Sequence, residues 1–255
     1  IARLVGYVLY HARLLDDLAT LKRLEQEKAT FMRIMVHELK APVTAAKMMS
    51  DLLASSQGEM QIENQKLAAM PHKISNRMAQ LLELIKDMLE LAKVKSGDPL
   101  GDIAVLNLVV ETKMGCQPFL DQAEEKGLSL EIACAENSLP VRFDSQGYHL
   151  ILSNLVSNAI KYTQTGFVKV SLFRQQDWAV LEVTDSGIGI PEADMSRLFQ
   201  EFFRASNAKR QKIQGTGVGL AGVKHIVERF GGELALSSHE NEGSTFTVRL
   251  PLYTE

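Results

Sequence analysis

The stretch Asn154–Lys161 reads N-L-V-S-N-A-I-K, and its interpretation decides how the rest of the chain is read. It lies in a segment whose apolar residues recur at helical spacing, so that Asn154, Asn158 and Lys161 share one face of a predicted helix. Polar groups on a mostly buried helix are costly unless something polar meets them. A triphosphate with Mg²⁺ fits, because an amide oxygen can ligate the cation and a lysine ammonium attracts phosphate. A polar stripe that faces water is the alternative.

Four further motifs accompany this helix. His37 opens H-E-L-K-A-P upstream, and D-S-G-I-G from Asp185, G-T-G-V-G-L from Gly215 and G-S-T-F from Gly243 follow downstream. In this order and at these separations, the set resembles the sensor histidine kinases, in both their dimerisation and phosphoacceptor domain and their catalytic ATP-binding domain. The resemblance covers the chain from about residue 30 to the C-terminus. The resemblance is specific because five motifs occur together in the same order and at matching separations, whereas each motif alone is common.

Composition sets the broad class. The 255 residues are 45% hydrophobic and 23% charged, with a formal net charge of −3, which is typical of one large or two smaller globular domains. This charge gives no reason to expect a nucleic-acid partner. No apolar run reaches the length of a membrane span. The two cysteines, Cys116 and Cys134, have no motif spacing, which predicts reduced packing residues in a cytoplasmic compartment. Because the sequence begins at Ile1 rather than Met, we expect a part of a longer protein, with any membrane attachment through a segment absent from this chain.

The first part of the chain is predicted to be helical. Residues 1–29 form either a signalling helix in a short coiled coil or the last helix of a lost sensor domain. Residues 30–96 hold two amphipathic helices, at 31–56 and 66–95, separated by breakers at 57–59. One such hairpin cannot bury both of its apolar stripes, so two copies should pair as a homodimer with a four-helix bundle.

The second part of the chain mixes strands and helices after a linker at 97–101. Helices are predicted at 106–126, 146–162 and 218–230, and strands at 128–133, 167–173, 179–184, 233–237 and 245–250. This order predicts an α+β fold in which residues 102–255 form a sandwich of one sheet backed by helices. The resemblance implies the ATP-binding fold shared by histidine kinases, gyrase and Hsp90.

His37 and Glu38 are the candidate catalytic pair. A histidine that accepts phosphate needs an unprotonated ring nitrogen, and an adjacent carboxylate can orient the ring or take its proton. A solvent-facing histidine is the alternative, and the resemblance favours phosphorylation. Many relatives carry Thr or Asn four residues after the histidine, to position the water that dephosphorylates the partner. Here that residue is Ala41, so we expect weak phosphatase activity.

The resemblance also assigns the nucleotide-binding residues. It makes Asn158 the Mg²⁺ ligand and Lys161 a phosphate contact, and Tyr162 packs on the nucleotide or, alternatively, on the sheet. Gyrase-type and Hsp90-type ATPases carry a water-activating glutamate where this chain has Asn154, and an amide cannot act as a general base at neutral pH. Asp185 is assigned to the adenine amino group, with an ordinary Asp-Ser-Gly turn as the alternative. The remaining assigned residues line the base and phosphates: Gly187, Gly189, Arg204, Gly215, Thr216, Gly217, Gly219, Leu220 and Thr245. Arg204 opens a basic run at 204–212, which suits a lid over the phosphates or, alternatively, is a plain surface loop.

Taken together, these residues predict an ATP-dependent histidine kinase. The γ-phosphoryl group would pass from ATP–Mg²⁺ to His37 and then to an aspartate on the receiver domain of a response regulator. Two alternatives stay open, an ATPase of the gyrase or Hsp90 type and a nucleotide-sensing dimeric scaffold. Asn154 argues against the first, and the complete set of glycine motifs argues against the second.

Overall fold

The computed structural model describes residues 36, 39–40, 42–48, 50, 64–96 and 99–254, and the chain divides into two compact units, Ile1–Lys86 and Asp87–Glu255. Every described residue of the first unit is helical, and helix α1 spans Asn64–Ser96. The predicted helix at 66–95 is therefore confirmed to within two residues at its start and one at its end. His37, Glu38, Ala41, the predicted N-terminal helix and the predicted turn at 57–59 lie outside the described residues.

Helix α1 carries two apolar stripes. The buried stripe consists of Leu81, Leu84, Met88, Leu91 and Val94. The exposed stripe lies on an adjacent face and consists of Met78, Leu82, Ile85 and Leu89. Both follow the spacing of three or four residues that places side chains on one face of a helix.

The second unit contains a five-stranded sheet with the order β2-β4-β5-β7-β6, and a separate two-stranded sheet, β1-β3. Strands β2 and β4 are parallel, and the other neighbours in both sheets are antiparallel. The strands are β1 Ile103–Asn107, β2 Ser129–Cys134, β3 Pro140–Asp144, β4 Phe167–Gln175, β5 Trp178–Asp185, β6 Glu233–His239 and β7 Gly243–Pro251. The helices are α2 Leu108–Glu125, α3 Ser145–Tyr162, α4 Glu192–Met195, α5 Ser206–Arg210 and α6 Gly219–Arg229.

One core joins the sheet to helices α2, α3 and α6. The alternation predicted for β7 is confirmed, since Phe246, Val248 and Leu250 are buried while the residues between them are half-buried. Helices with an apolar stripe and strands with one apolar face can bury both only by packing together. The predicted α+β sandwich is thus confirmed.

Asp144 fixes the position at which α3 begins. Its buried carboxylate accepts hydrogen bonds from the backbone N–H of Gly147, at 2.9 Å, and of Leu100, at 2.6 Å. The first bond is an N-terminal cap of α3, and the second holds the chain segment that precedes β1. One side chain therefore sets both the start of the helix with the polar face and the entry of the chain into the second unit.

The first elements of the second unit correct the sequence prediction. The helix predicted from residue 106 begins at Leu108, and the strands β1 and β3 had not been predicted. Asn107 ends β1 and caps α2, because its side-chain oxygen accepts hydrogen bonds from Val109 N and Leu139 N at 3.2 and 3.1 Å. Strand β1 exists through pairing with β3, more than thirty residues later, and local periodicity does not report such pairing.

No helix within the described part of the chain is both long and apolar enough to cross a lipid bilayer.

Candidate functional site

The polar face of α3 lies between its buried residues and solvent. Asn154, Asn158 and Lys161 are all half-buried on it. The Asn154 amide nitrogen donates to the backbone oxygen of Leu150 at 3.0 Å, so the amide group is fixed to its own helix. Its oxygen faces Gly219 at the start of α6, so closely that a Cβ on Gly219 would overlap it. A glycine as the first residue of α6 therefore leaves room for the Asn154 side chain where α3 and α6 meet.

The glycine turn before α6 is surrounded by cationic and phenolic groups. A Cβ on Gly215 would lie 3.1 Å from Lys161 Nζ, 3.5 Å from Tyr162 Oη and 3.9 Å from Arg204 Nε. The predicted phosphate contacts from α3, the lid and the glycine turn are thus brought together. Gly217 has φ of 74°, a conformation that favours glycine. The turn leads into α6, whose first backbone N–H groups form the kind of site that binds anions.

The Arg204 side chain has one hydrogen-bonded nitrogen and one buried nitrogen that differ in their contacts. Its Nη2 donates to the backbone oxygen of Ile213, at the other end of the lid. Its Nε is buried and has no hydrogen-bond partner among the described residues. An unpaired buried donor is unfavourable by about 1–3 kcal/mol, and an anionic ligand would remove that cost.

Asp185 ends β5 inside the unit, with 6% of its surface exposed. Its Oδ1 accepts a hydrogen bond from Gly187 N at 2.9 Å. Burial raises the pKa of this carboxyl group to about 6, although the backbone hydrogen bonds from Gly187 and Ser244 act in the opposite direction. The group can therefore change its charge just below neutral pH, which is unusual for an aspartate and common at functional sites.

The D-S-G-I-G loop is anchored to the C-terminal end of α3. Ile188 N donates to the backbone oxygen of Tyr162 at 3.2 Å, and a Cβ on Gly187 would overlap that same oxygen. Thr163 lies beside Gly187 and is fully buried, with its hydroxyl donating to Ala159 O at 2.7 Å. The sequence analysis did not single out Thr163, because a threonine after a helix carries no motif signal.

Thr245 and Leu220 lie on β7 and α6, beside other predicted site residues. The Thr245 hydroxyl lies 3.1 Å from the Thr184 hydroxyl, which precedes Asp185 on the neighbouring strand. Leu220 is half-buried as the second residue of α6. Both therefore lie on elements that carry other predicted site residues.

The basic lid contains the short helix α5, and Phe203 lies just before it. The Arg197 guanidinium is 4.5 Å and the Lys209 ammonium 5.7 Å from the centroid of the Phe203 ring. These are cation–π distances, so one charge of the lid, on Lys209, and one charge that precedes the lid, on Arg197, are placed around one aromatic side chain. The glycine turn is also hydrogen-bonded to the segment just before the lid, since Phe202 N donates to Gly217 O at 2.9 Å.

A carboxylate from α1 lies at the glycine turn. The Thr216 hydroxyl donates to Asp87 Oδ2 at 2.5 Å. Asp87 and Glu90 also line a cleft together with Asn154 and Gly219. The sequence analysis missed this contact, because Asp87 resembles any other charged residue on an amphipathic helix. Its carboxylate is unfavourable for a triphosphate at the same turn.

Two family models match the chain in the order of its two parts. Residues 27–97 match the "His Kinase A (phospho-acceptor) domain", and residues 143–254 match the "Histidine kinase-, DNA gyrase B-, and HSP90-like ATPase". The chain belongs to the sensor histidine kinases of two-component systems. The resemblance inferred from the five motifs is therefore confirmed, and the second unit of this kinase contains an ATP-binding domain.

Curated relatives of this kinase carry the same description. It is 33% identical to the circadian input-output histidine kinase CikA of Synechococcus elongatus, a match that covers 94% of this chain and 32% of CikA. It is 30% identical to the sensor-like histidine kinase SenX3 of Mycolicibacterium smegmatis, over 94% of this chain and 62% of SenX3. The chain thus spans about a third and about three-fifths of the length of these two relatives.

Solved structures agree with the fold. The histidine kinase AdeS of Acinetobacter baumannii aligns with a TM-score of 0.64 at 23% identity, over 86% of this chain and 98% of that one. The complex of histidine kinase ThkA with the response regulator protein TrrA aligns with a TM-score of 0.63 at 21% identity, over 85% of this chain and 59% of that one. Both alignments support the assigned architecture.

Proposed function

We propose that this chain is an ATP-dependent protein histidine kinase that phosphorylates itself on His37 and passes the phosphoryl group to an aspartate of a response-regulator receiver domain. A ring nitrogen of His37 attacks the γ-phosphorus, and the bond to the β,γ-bridging oxygen breaks as ADP leaves. Glu38 accepts the proton released from the imidazole. The second unit contributes positioning and charge stabilisation, which are the main needs of phosphoryl transfer.

The observation that carries this proposal is the convergence around Gly215 and Gly219. Lys161, Tyr162 and Arg204 surround the first glycine, and Asn154 faces the second. This supports a cleft that holds the phosphates but has an amide where a hydrolytic enzyme needs a base. Because the Asn154 amide is also bonded to Leu150 O, a bound triphosphate would meet no activated water there.

The donor set on α3 fits a magnesium ion. The half-buried Asn158 offers one amide oxygen, and Mg²⁺ in nucleotide sites commonly takes few protein ligands together with phosphate oxygens and water. When bound, the ion would neutralise charge on the phosphates. Asn158 would hold it, and Lys161 would meet phosphate directly from the next turn of α3.

We also propose a homodimer and a receiver-domain partner. The exposed stripe on α1 supports the homodimer, because four apolar side chains on one helix face are unfavourable in water. The ThkA structure with TrrA supports the partner class, since it shows a protein of similar fold with a response regulator. A cytoplasmic location and the domain limits 30–96 and 102–255 remain predictions.

An ATPase of the gyrase or Hsp90 type and a nucleotide-sensing scaffold are the other candidates. The Asn154 amide disfavours the ATPase, as argued above. The Arg204 Nε, which is buried without a hydrogen-bond partner among the described residues, supports a lid that binds an anion, as both a kinase and a nucleotide-sensing scaffold require.

One experiment separates these three functions. The chain is incubated with γ-labelled ATP and magnesium, and wild type is compared with His37→Ala. A kinase gives acid-labile, base-stable label on wild type that the variant lacks. Free phosphate without labelled protein would indicate an ATPase, and neither product would indicate a scaffold.

Weak phosphatase activity is also part of the proposal, because Ala41 has no group that could hold a water molecule. We expect Ala41→Thr to accelerate the loss of label from a phosphorylated receiver domain in the presence of ADP, with His37 labelling retained. Rapid loss with the wild-type chain would contradict this.

A further inference from the structure

Asn207, in the second position of the lid helix α5, is buried with only 3% of its surface exposed. Asparagine at the start of an exposed five-residue helix would ordinarily face water. Its neighbours Ser206 and Lys209 on the same helix are exposed. A structural reason must therefore exist for turning this one polar side chain inwards, since burying an amide is unfavourable unless it is hydrogen-bonded.

The amide of Asn207 is bonded to the D-S-G-I-G loop. Its Nδ2 donates to the backbone oxygen of Gly189 at 2.9 Å and to that of Ile188 at 3.3 Å. Its Oδ1 accepts from Ala208 N at 2.9 Å. Both amide hydrogens and the amide oxygen are thus used within the protein. Asn207 has no donor left for a nucleotide, so any effect on binding has to pass through the loop.

The loop is held from the opposite side by the turn between β6 and β7. Asn241 N donates to the same Ile188 oxygen at 2.8 Å. Gly189 has φ of 58°, and a Cβ there would overlap the backbone oxygen of His239. The loop segment Ile188–Gly189 is therefore clamped between α5 and this turn, and Asn207 supplies the side-chain half of the clamp.

The same loop carries Asp185 at its other end. Gly187 N is bonded to the Asp185 carboxylate, and Ile188 N is bonded to the end of α3. A shift of Ile188 and Gly189 would thus move the backbone group that orients Asp185. Displacements of about 1 Å in a positioning group are enough to reduce binding and catalysis strongly.

Other contacts hold α5 from its two ends without touching the loop. Ser206 N donates to Asp194 Oδ2 at 2.7 Å at the start of α5. Arg210 Nη2 pairs with Glu240 Oε1 at 3.0 Å at its end, on the exposed surface. These contacts place the helix, whereas Asn207 alone of its residues is bonded to the D-S-G-I-G loop within the described structure.

We infer that Asn207 is a positioning residue for the adenine end of the nucleotide site, which it serves by fixing the Ile188–Gly189 backbone to the lid. This rests on the proposed function only in that the cleft binds a nucleotide with its base at Asp185. Loss of the Asn207 donor loosens the base pocket and leaves the phosphate contacts of Lys161 and Arg204 in place.

The test uses adenosine, which has the base without phosphates, beside ADP. In Asn207→Asp the size and the acceptor for Ala208 N are kept, but a carboxylate oxygen faces the two carbonyl groups. We expect the Kd for adenosine and the Kd for ADP to rise by the same factor, about tenfold. In autophosphorylation, the KM for ATP should rise by a similar factor, and the rate at saturating ATP should stay close to that of wild type.

Glu228→Gln is the control, because it removes an exposed ion pair with Lys224 near the C-terminal end of α6, away from the loop and its clamp, and should leave the adenosine Kd unchanged. Asn207→Ala removes the clamp without adding charge. If Asn207→Asp does not fold, the adenosine Kd of Asn207→Ala tests the inference instead. Thermal melting establishes that each variant is folded before binding is measured.

Unchanged adenosine affinity in a folded Asn207 variant would overturn the inference. So would a loss confined to ADP, since the residue would then act at the phosphate end. Wild type that binds neither ligand would refute both this inference and the nucleotide site. Wild type that binds both ligands but does not label His37 would refute the kinase proposal alone, and the adenosine comparison would still decide the role of Asn207.

Discussion

Single residues determine how closely the elements of the nucleotide site approach each other. Gly219 and Asn154 are the clearest pair, because the amide oxygen occupies the space that a side chain on Gly219 would need. Gly222, three residues later on α6, has open space where its Cβ would be. The two glycines therefore have different reasons to be glycine, although they look alike in the sequence.

Gly219→Ala should lower the free energy of unfolding by about 1–3 kcal/mol, because the added methyl group displaces Asn154. Urea denaturation measures this effect. The double variant Asn154→Ala with Gly219→Ala should be more stable than Gly219→Ala alone, since the overlapping oxygen is gone. Gly222→Ala is the control and should stabilise by about 0.4–1 kcal/mol. Equal destabilisation by both alanines would contradict the packing argument.

If Asp185 binds the base as proposed, base binding should depend on pH. Its carboxyl pKa of about 6 means that the group is protonated below that pH and ionised above it. Only the ionised form has both oxygens free of protons to accept from the adenine amino group. Adenosine affinity should therefore rise from about pH 5 to about pH 7 and level off above it. Calorimetric titration measures this, and a pH-dependence that persists in Asp185→Asn would assign the effect to another group.

At the scale of elements, an anionic ligand and the Asp87 carboxylate of α1 compete for the glycine turn. The turn and the start of α6 offer backbone donors to an anion, while the Thr216 hydroxyl is bonded to Asp87 on α1. Asp87 and Glu90 add negative charge to the cleft that also contains Asn154. A triphosphate at this turn is therefore opposed by carboxylates that belong to the same compact unit.

Asp87→Asn should tighten ATP binding, because it removes a negative charge beside the turn and keeps an acceptor for Thr216. A charge a few ångströms from the phosphates near a protein surface corresponds to a change in Kd of about threefold to tenfold. The gain should shrink at high salt. Glu83→Gln, on an exposed part of α1, is the matched control. An unchanged Kd in Asp87→Asn would show that this contact does not oppose the nucleotide.

At the scale of the whole molecule, the exposed stripe of α1 requires a covering partner. Met78 and Leu82 lie on it with 44% and 65% of their surfaces exposed, in the first unit. Apolar side chains spaced by three and four residues on a long helix are typical of a helix bundle between copies. The homodimer proposed for this family member provides that partner.

Met78→Glu with Leu82→Glu should convert the dimer to a monomer, since two carboxylates would be buried in its interface without partners. Sedimentation equilibrium measures the mass, and Glu83→Gln, which lies off the stripe, should leave it unchanged. ADP binding should be retained, because the residues proposed to hold the nucleotide lie in the second unit. A double variant that remains dimeric would place the interface on another surface.

The sequence by itself determined the four long helices α1, α2, α3 and α6, five of the seven strands and the candidate site residues, whereas the short helices α4 and α5 were not predicted. Helix α1 and strand β7 follow from local patterns of apolar residues with periods of about 3.6 and 2 residues. The five motifs are likewise short stretches whose residue types indicate their chemistry without knowledge of the fold. The tertiary structure alone decided the pairing of β1 with β3, the burial of Asn207 and the contact of Asp87 with Thr216. Each of these joins residues distant along the chain, and neither periodicity nor motif spacing records which distant groups meet when the core closes.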